Sequence, residues 1–349
     1  MVSNNAVIIK KYLDSTAGYP VIGEHLAFEK REFDLENAQV DEETPVLLKN
    51  IYTSVDPYLR MRMQSPKHAS YIPPLELGKP FYNSTVAKVV KSTLDQYKPG
   101  MDVVFVSGWE EYTFVSKQAL GFLQPINNPY KLPLIDFVGS LGMPSQTAYC
   151  GLKHIGKPKA GETIYISAAS GAVGQMAGQL AKAMGLHVVG SVGSDEKFKI
   201  CLDSGYDSVF NYKKESPFKA LPRLCPKGID IYFENVGGET MDAVLENMNL
   251  QGRIIFCGAI SQYNNPNPYR VKNLGMVLVK SLTIQGFIVA NILPQYQEQY
   301  FEEMPKLIAE GKIKYKCDVY DGLESAPEAF IGMLQGKNSG KTIVKIADE

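Results

Sequence analysis

A glycine-rich turn between a β-prone run and a helix-forming run is the stretch best suited to bind a ligand. Residues 163–166 alternate as in a strand, residues 168–174 read Ala-Ala-Ser-Gly-Ala-Val-Gly, and residues 172–184 favour helix. Small side chains let the backbone approach a pyrophosphate, and the first N–H groups of the helix face its negative charge. The order strand, turn, helix, strand is typical of a dinucleotide-binding unit. The candidate contacts in the turn are Ala169, Gly171, Ala172 and Val173.

The spacing departs from the usual G-x-G-x-x-G, because Ala168 stands where the first glycine is expected. Taken alone, the stretch is also compatible with a tight β–α turn that binds nothing. The β-prone runs on both sides of it favour nucleotide binding.

The residues after the second strand of this unit decide which nucleotide is favoured. Residues 190–194 read Gly-Ser-Val-Gly-Ser and have no acid at the strand tip, where an NAD-binding fold places the ligand of the ribose 2′-hydroxyl. Lys197 follows, and Tyr212 comes after the third strand. A lysine and hydroxyl groups suit a 2′-phosphate, so the sequence favours NADPH over NADH. Alternatively, Asp195 is the ribose ligand or a helix N-cap, and Lys197 is only a solvated charge.

The histidines and cysteines do not form a recognisable metal site. Of the four histidines, His25 lies in a Gly-Glu-His run that has the wrong order for the Gly-His-Glu of zinc alcohol dehydrogenases, and it reads as a loop. The other three are interpreted as structural or have no cysteine nearby. The five cysteines contain no C-x-x-C pair, so reduced thiols and no bound metal are expected.

The elements that must position these residues change character along the chain. Residues 1 to about 131 read as short β-prone runs separated by Pro, Gly and Asn, which predicts a distorted barrel or sandwich. From residue 132 helical and strand-like segments alternate, which predicts a doubly wound parallel-sheet α/β domain over 132–314. The tail 315–349 reads as strand-like and mixed and is expected to rejoin the first domain. A cofactor site is expected in the cleft between the two domains.

In the second domain, the predicted strands are 163–167, 187–192, 208–211, 228–234, 252–258 and 282–289. The predicted helices are 137–155, 172–184, 196–204, 239–247 and 295–310.

Composition excludes several classes of partner. The net charge of −1 and the pI near 6.5 give no long-range attraction to nucleic acid or to an acidic membrane. No run of 18 apolar residues is present, and the N-terminal residues lack a secretory pattern. The expectation is a cytosolic protein with a small-molecule substrate.

Several stretches together resemble the zinc-independent medium-chain dehydrogenase/reductases. Within that superfamily the chain is similar to the alkenal double-bond reductases, which include the leukotriene B4 12-hydroxydehydrogenase/prostaglandin reductase group. The resemblance covers nearly the whole chain. The stretches that carry it are 50–63 (NIYTSVDPYLRMRM), 142–149 (GMPSQTAY), 168–174, 193–197 (GSDEK), 210–212 (FNY), 233–238 (FENVGG), 257–264 (CGAISQYN), 286–289 (GFIV) and 336–341 (GKNSGK).

The resemblance implies a Rossmann domain that binds NADPH (NADP⁺) and a β-rich GroES-like catalytic domain. It implies that Lys197 and Tyr212 bind the 2′-phosphate and that Met143 and Thr147 lie near the nicotinamide. The other implied cofactor contacts are Gly193, Ser194, Asn235, Cys257, Gly258, Ala259, Ile260, Ser261, Tyr263, Phe287, Ile288, Val289 and Asn338. It also implies that Tyr52 and Tyr263 face the substrate, and that the protein is a homodimer in which the strand 282–289 forms a sheet-edge contact.

The implied activity is reduction of the conjugated C=C bond of α,β-unsaturated aldehydes and ketones. Without a metal to polarise a carbonyl, hydride delivery to the β-carbon is the favoured chemistry, and the enolate that forms needs a hydrogen-bond donor and a proton. Tyr263 is the first candidate for that donor, because a phenol can donate without carrying charge. Tyr52 is a second candidate, or an apolar wall. Arg60 and Arg62 could attract an acidic substrate tail or could be solvated or paired.

Two other readings stay open at this point. One is an NADPH-dependent quinone reductase of the same superfamily. The other is a non-enzymatic NADPH-binding protein. The near-neutral charge argues against RNA as its partner.

Overall fold

The computed structural model describes residues 1–13, 18–68 and 70–349 and divides them into two compact units. The β-rich unit comprises Met1–Gly139, Cys317–Asn338 and Thr342–Glu349. The α/β unit comprises Ser140–Lys316 and Ser339–Lys341. The sequence predicted a division after residue 131 and a return at residue 315. The catalytic and cofactor-binding roles given to the two units stay predictions.

Most of the β-rich unit is one mainly antiparallel sheet. Seven strands form it in the order β16–β17–β5–β6–β7–β9, with β8 paired to β5. Two small ribbons, β1–β4 and β2–β3, complete the strands. The described residues of this unit form a short α-helix in its first part, α1 (Leu59–Arg62), and a longer one near its end, α11 (Ala326–Leu334). The strand bounds are β1 Val2–Ser3, β2 Ala6–Ile9, β3 Leu26–Glu29, β4 Glu32–Phe33, β5 Val46–Ser54, β6 Tyr82–Ser92, β7 Asp102–Gly108, β8 Tyr112–Val115, β9 Gln124–Pro125, β16 Cys317–Asp321 and β17 Lys341–Lys345, and the helices are α1 Leu59–Arg62 and α11 Ala326–Leu334.

The largest core of this unit packs around three aromatic rings. Phe81 stacks on Trp109 with ring centroids 5.1 Å apart, and Phe330 meets both rings edge-on. Phe330 lies on α11, a helix in a tail that the sequence analysis described only as strand-like and mixed. The residues of α11 are apolar on nearly all sides, so periodicity did not mark the helix, and their burial in this core explains the composition.

The α/β unit is built on a fully parallel sheet of six strands. Their order is β12–β11–β10–β13–β14–β15, so the chain reverses its winding direction between β10 and β13. The doubly wound fold predicted from the alternating segments is confirmed. The strands are β10 Thr163–Ile166, β11 His187–Val192, β12 Ser208–Asn211, β13 Ile229–Glu234, β14 Met248–Phe256 and β15 Thr283–Gly286. The helices are α2 Met143–Cys150, α3 Ala172–Ala183, α4 Phe198–Asp203, α5 Pro217–Leu224, α6 Glu239–Asn247, α7 Ile260–Tyr263, α8 Met276–Val279, α9 Val289–Ile292 and α10 Gln297–Ala309.

Several elements of this unit differ from the prediction, and β14, predicted over 252–258, runs from Met248 to Phe256. The helix predicted over 137–155 begins at Met143 with Pro144 in its first turn, where a missing N–H costs nothing, and ends in a π-helical turn, Gly151–Gly156. Helix α5 was missed, because its two prolines read as breakers. The strand predicted over 282–289 is shorter, because the chain enters α9 at Val289.

No helix in the described part of the chain is long and apolar enough to cross a membrane.

Candidate active site

The predicted cofactor residues of the α/β unit cluster because of its strand directions. The glycine turn follows β10, Gly193 to Lys197 follow β11, and Tyr212 follows β12. Asn235 follows β13, the segment 257–263 follows β14, and the segment 287–289 follows β15. All six strands are parallel, so their carboxyl ends lie at one edge of the sheet. In open α/β sheets this edge binds ligands at the point where the strand order reverses.

The turn after β10 has the geometry of a phosphate-binding turn. Ala168, which replaces the first glycine of the usual spacing, has φ of +50°, so the position keeps the left-handed conformation that favours glycine. Gly171 caps α3 in an extended conformation, without any side-chain hydrogen bond. A Cβ at Gly174 would lie 2.5 Å from the carbonyl oxygens of Ala168 and Ala169, so only glycine fits there.

The start of α3 therefore offers backbone donors without a protein cap. The first backbone hydrogen bond into the helix runs from Gln175 N–H to Gly171 O. The N–H groups of residues 172–174 precede the first hydrogen bond of the helix. Backbone N–H groups left over at a helix start in this way are the arrangement that binds a pyrophosphate. Ala169 is buried, and its backbone N–H donates to Ser191 O. Ala169 therefore supports the conformation of the turn.

The residues at the ends of β11 and β12 lie against one another. A Cβ on Gly193 would lie 3.1 Å from the Tyr212 hydroxyl oxygen, so the phenol covers the glycine backbone. Tyr212 N–H donates to Val192 O, and the side chain is 46% exposed. Ser194 has an extended backbone and caps the short turn that contains Lys197. A phenol and a lysine at this edge fit the donor chemistry of a 2′-phosphate site.

The carboxylate of Asp195 is already engaged, which bears on the alternative that it holds a ribose. Its Oδ1 accepts a hydrogen bond from Asn211 Nδ2 at 2.8 Å, and its Oδ2 accepts one from Lys214 Nζ at 2.5 Å. The hydrogen bonds from Lys214 and Asn211 lower the pKa of Asp195. Ser194, not Asp195, occupies the cap position of the following turn.

Asn235 is fixed by the turn after β10. Its N–H donates to Ser167 Oγ at 2.9 Å, and its Nδ2 donates to Ser167 O at 2.8 Å. The preceding residue, Glu234, is buried, and its Oε1 accepts hydrogen bonds from Tyr232 OH at 2.7 Å and from the N–H groups of residues 236 and 237. Burial raises the pKa of Glu234.

Glu234 was not among the predicted site residues, although the sequence carries a signal for it. An acid that directly follows the buried run Ile231 to Phe233 of β13 marks a buried polar network, because a strand segment covered on both faces normally lacks charge.

The segment after β14 carries the predicted donor, Tyr263. The N–H groups of Cys257 and Gly258 both donate to Glu234 O. Ala259 N–H donates to the Tyr263 hydroxyl oxygen at 3.3 Å, so the ring turns back over its own loop. Burial raises the pKa of the Tyr263 phenol, which therefore keeps its proton at neutral pH. Its O–H has no acceptor among the described residues, so the proton is available to a ligand.

The α7 turn between these residues is attached to the loop after β13. Ile260 N–H donates to Asn235 O, and Ser261 N–H donates to Val236 O, each at 3.1 Å. The Ser261 hydroxyl also donates to Val236 O. The candidate residues after β13 and β14 thus form one hydrogen-bonded assembly.

The remaining candidates of the α/β unit lie on α2 and after β15. Thr147 donates its hydroxyl to Met143 O at 2.8 Å, and α2 packs against α3 and α9. Phe287 and Ile288 lead from β15 into α9, which begins at Val289, and Ile288 is 37% exposed.

Tyr52 and Asn338 belong to the β-rich unit. Tyr52 lies on β5, where its hydroxyl donates to Glu349 Oε1 at 3.1 Å and its ring packs on a cluster that includes Val86 and Ile343. Burial and, as the next largest cause, the hydrogen bond to Glu349 raise the pKa of Tyr52. Asn338 follows α11. That these two residues complete a site with the α/β unit stays a prediction.

Arg60 and Arg62 are buried, at 1% and 2% exposure. This burial argues against the hypothesis that they attract an acidic substrate tail. Arg62 donates to the carbonyl oxygens of Pro73 and Tyr82 and lies 3.8 Å above the Tyr82 ring centroid. In residues 1–13, 18–68 and 70–349 no group of three His, Cys, Asp or Glu side chains is arranged to hold a metal.

The fold and the sheet-edge site define a two-unit oxidoreductase of the dinucleotide-binding type, and comparison with known proteins specifies the family. The family model described as zinc-binding dehydrogenase matches residues 172–310, and the one described as N-terminal domain of oxidoreductase matches residues 26–122.

Two curated relatives and one solved structure match over essentially their whole length. The chain is 41% identical to the 2-alkenal reductase (NADP(+)-dependent) of Nicotiana tabacum, covering 100% of this chain and 99% of the relative. It is 38% identical to the (+)-pulegone reductase of Mentha piperita, covering 100% of both. The crystal structure of CurA in complex with NADPH from Vibrio vulnificus superposes with a TM-score of 0.88 at 34% identity, over 99% of this chain and 100% of that one.

The chain belongs to the zinc-independent alkenal and enone reductase family of the medium-chain dehydrogenase/reductases.

Proposed function

We propose that the protein uses NADPH to reduce the conjugated C=C bond of α,β-unsaturated aldehydes and ketones. The observation that carries the proposal is that a neutral phenol, Tyr263, follows β14 at the same sheet edge as the phosphate-binding turn. The full-length relatives named for reduction of 2-alkenals and pulegone support the same chemistry.

In this proposal the coenzyme lies along the carboxyl edge of the six strands. The N–H groups at the start of α3 bind its pyrophosphate, and Lys197 and Tyr212 bind its 2′-phosphate. Asn235, the segment 257–263 and the segment 287–289 line the remainder, with Met143, Thr147 and Asn338. The residues fit the group, because Gly174 allows the turn to pack closely on the start of α3, and the Asp195 carboxylate after β11 is held by Asn211 and Lys214.

NADPH, when bound, supplies the hydride for the β-carbon of the substrate. The protein then has to stabilise the negative charge that develops on the carbonyl oxygen as the enolate forms. A single preorganised donor in such a site contributes about 3 kcal/mol. Tyr263 serves as this donor, and protonation of the α-carbon completes the saturated product. Tyr52, whose hydroxyl is engaged by Glu349, serves as a wall of the substrate site.

Steady-state kinetics with NADPH test the proposal. We expect consumption of NADPH with a 2-alkenal and formation of the saturated aldehyde. Formation of the allylic alcohol, or faster turnover of quinones than of 2-alkenals, would replace this proposal with carbonyl reduction or quinone reduction. Tight NADPH binding without turnover of any enal would indicate a non-enzymatic role.

The protein is also proposed to be a homodimer that pairs through the edge of the parallel sheet. Strand β15 is the outer strand next to β14, and all four of its residues are exposed. The neighbouring α8 presents Leu278 at 85% and Val279 at 66% exposure. An exposed edge strand next to exposed apolar side chains favours association. Light scattering should give a dimer mass for the wild type and a monomer mass for Ile284→Lys. A cytosolic location is proposed as well and is tested by cell fractionation.

A further inference from the structure

The loop that follows Tyr263 is attached to the α/β unit by one buried carboxylate. Residues 264–275 connect α7 to α8 without regular structure, and Asp242 on α6 lies beneath them at 1% exposure. Asp242 Oδ2 accepts a hydrogen bond from Tyr269 OH at 2.7 Å. Its Oδ1 accepts bonds from the N–H groups of Lys272 and Asn273, both at 2.9 Å.

A second attachment joins this loop to the turn that carries Tyr263. Gln262 Oε1 accepts a hydrogen bond from Tyr269 N–H at 2.6 Å. Tyr269 therefore binds Asp242 through its hydroxyl and Gln262 through its backbone. Because Gln262 and Tyr263 are adjacent in the single turn of α7, the position of Tyr269 constrains the residue proposed as the donor.

The charge on Asp242 strengthens this attachment. Burial alone would raise the pKa of the carboxyl group, but hydrogen bonds from Asn273 N–H, Tyr269 OH and Lys272 N–H outweigh it and lower the pKa. The group is thus a carboxylate at neutral pH. Hydrogen bonds to an ionised acceptor are roughly twice as strong as neutral ones. A buried carboxylate is costly unless it is satisfied, and here the satisfying donors all belong to the loop.

We propose that Asp242 is a positioning residue for catalysis, which holds the 264–275 loop through Tyr269 and thereby orients Tyr263 toward the substrate carbonyl. The proposal rests on the donor role proposed for Tyr263. Among the described residues, the hydrogen bonds of the Asp242 carboxylate all come from the 264–275 loop and none comes from a predicted coenzyme or substrate residue, so its effect is expected on the alignment of the donor and not on coenzyme binding.

Three variants of the protein separate the contacts. Asp242→Ala removes the carboxylate that accepts from Tyr269 OH and from the N–H groups of Lys272 and Asn273. Tyr269→Phe removes only the first of these bonds and keeps the backbone bond to Gln262. Asp242→Asn keeps one side-chain oxygen, which can accept from the backbone N–H groups of Lys272 and Asn273. Its amide NH₂ then faces the Tyr269 hydroxyl, which can accept a hydrogen bond from it. Asp203→Asn is the matched control, because in the part of the chain that the structure describes this exposed carboxylate pairs only with Lys199 on its own helix.

We expect Asp242→Ala to lower kcat for a 2-alkenal by about tenfold or more, while the Kd of NADPH stays within about twofold. Tyr269→Phe and Asp242→Asn should give intermediate losses, and Asp203→Asn should give none. Limited trypsin digestion of the native protein reports the loop directly, because Arg270 and Lys272 are exposed cleavage sites within it. Cleavage there should accelerate in the order Asp203→Asn, Asp242→Asn, Asp242→Ala.

A double-mutant cycle decides whether Asp242 acts through Tyr263. If it does, Asp242→Ala should cost little additional turnover in a Tyr263→Phe background. The same factor in both backgrounds, or lost turnover with unchanged loop cleavage, would overturn the positioning role. If Tyr263→Phe by itself leaves turnover intact, the donor role proposed for Tyr263 has failed, and trypsin cleavage still decides whether Asp242 holds the loop.

Discussion

The sharpest test of the proposed chemistry is removal of one oxygen atom, by Tyr263→Phe. The phenol ring of Tyr263 is half-buried, and among the described residues its hydroxyl makes one hydrogen bond, in which it accepts from Ala259 N–H at 3.3 Å. That bond is long, so its loss should change the free energy of unfolding by no more than about 1 kcal/mol. Substitution by Phe keeps the ring and its packing. The change therefore isolates the O–H donor.

The expected kinetic effect follows from the donor's environment. One preorganised donor directed at a developing oxyanion is worth about 3 kcal/mol, which corresponds to about 100-fold in rate. Part of this is recovered if water takes the place of the hydroxyl in a half-buried site. We therefore expect kcat to fall by at least about tenfold with a 2-alkenal, with the Kd of NADPH unchanged within about twofold.

The pH profile gives an independent check on the same residue. Because burial raises the pKa of Tyr263, the donating form persists through neutral pH and is lost only as the pH rises above the usual tyrosine value of about 10. The wild-type kcat should lose this contribution in that alkaline range, and the Phe variant should not show the same loss. Tyr52→Phe is the matched control, because its hydroxyl is bound to Glu349. A Tyr263→Phe enzyme with wild-type kcat would remove this residue from the mechanism.

Three further predictions concern the coenzyme edge and the network beneath it. Lys197→Ala should raise the KM for NADPH by about tenfold or more and leave the KM for NADH unchanged, because NADH lacks the 2′-phosphate that Lys197 is proposed to bind; equal effects on both coenzymes would contradict the assignment. Gly174→Ala places a Cβ 2.5 Å from two carbonyl oxygens, so calorimetry should show a loss of about 1–3 kcal/mol in the free energy of unfolding and titration should show weaker NADPH binding. The raised pKa of Glu234 means that its contribution to stability is full below the usual glutamate value of about 4.3 and is lost as pH rises through the higher folded-state pKa. Denaturant titrations across that range should show this loss in the wild type and not in Glu234→Gln, and parallel curves would contradict the burial argument.

Much of the fold could be predicted because local patterns and tertiary packing agree in the α/β unit. Strand β10, the turn and α3 each carry their own signal, and their order implies the parallel sheet. Helix α11 could not be predicted in this way, because it is buried on nearly all sides and has no amphipathic period. The bounds of α2 were missed because its π-helical end depends on the close packing of Gly151 against Phe233 and Ile255, which are distant in sequence.

The candidate site was predictable to the extent that its residues lie next to strand ends. Lys197, Tyr212 and Asn235 all follow strands, so the parallel topology brings them to one edge regardless of sequence distance. Asp242 and Tyr269 could not be found by the same reasoning. An acid within an amphipathic helix and a tyrosine within a proline-rich loop have ordinary surface readings, and only the folded chain shows the hydrogen bond between them.

The predicted coenzyme contacts and the proposed donor, Tyr263, differ in which parts of the fold hold them in place. The predicted pyrophosphate and 2′-phosphate contacts lie on turns that directly follow β10, β11 and β12, so coenzyme affinity should tolerate changes in the 264–275 loop. Tyr263 lies on a single helical turn that has too few internal hydrogen bonds to be stable alone. Its position must therefore be set by Asn235 and Val236 on one side and by Gln262 and Tyr269 on the other. Substitutions in the loop should consequently change kcat and substrate preference while the Kd of NADPH stays constant, and a parallel change in both would mean that the donor and the coenzyme share one support.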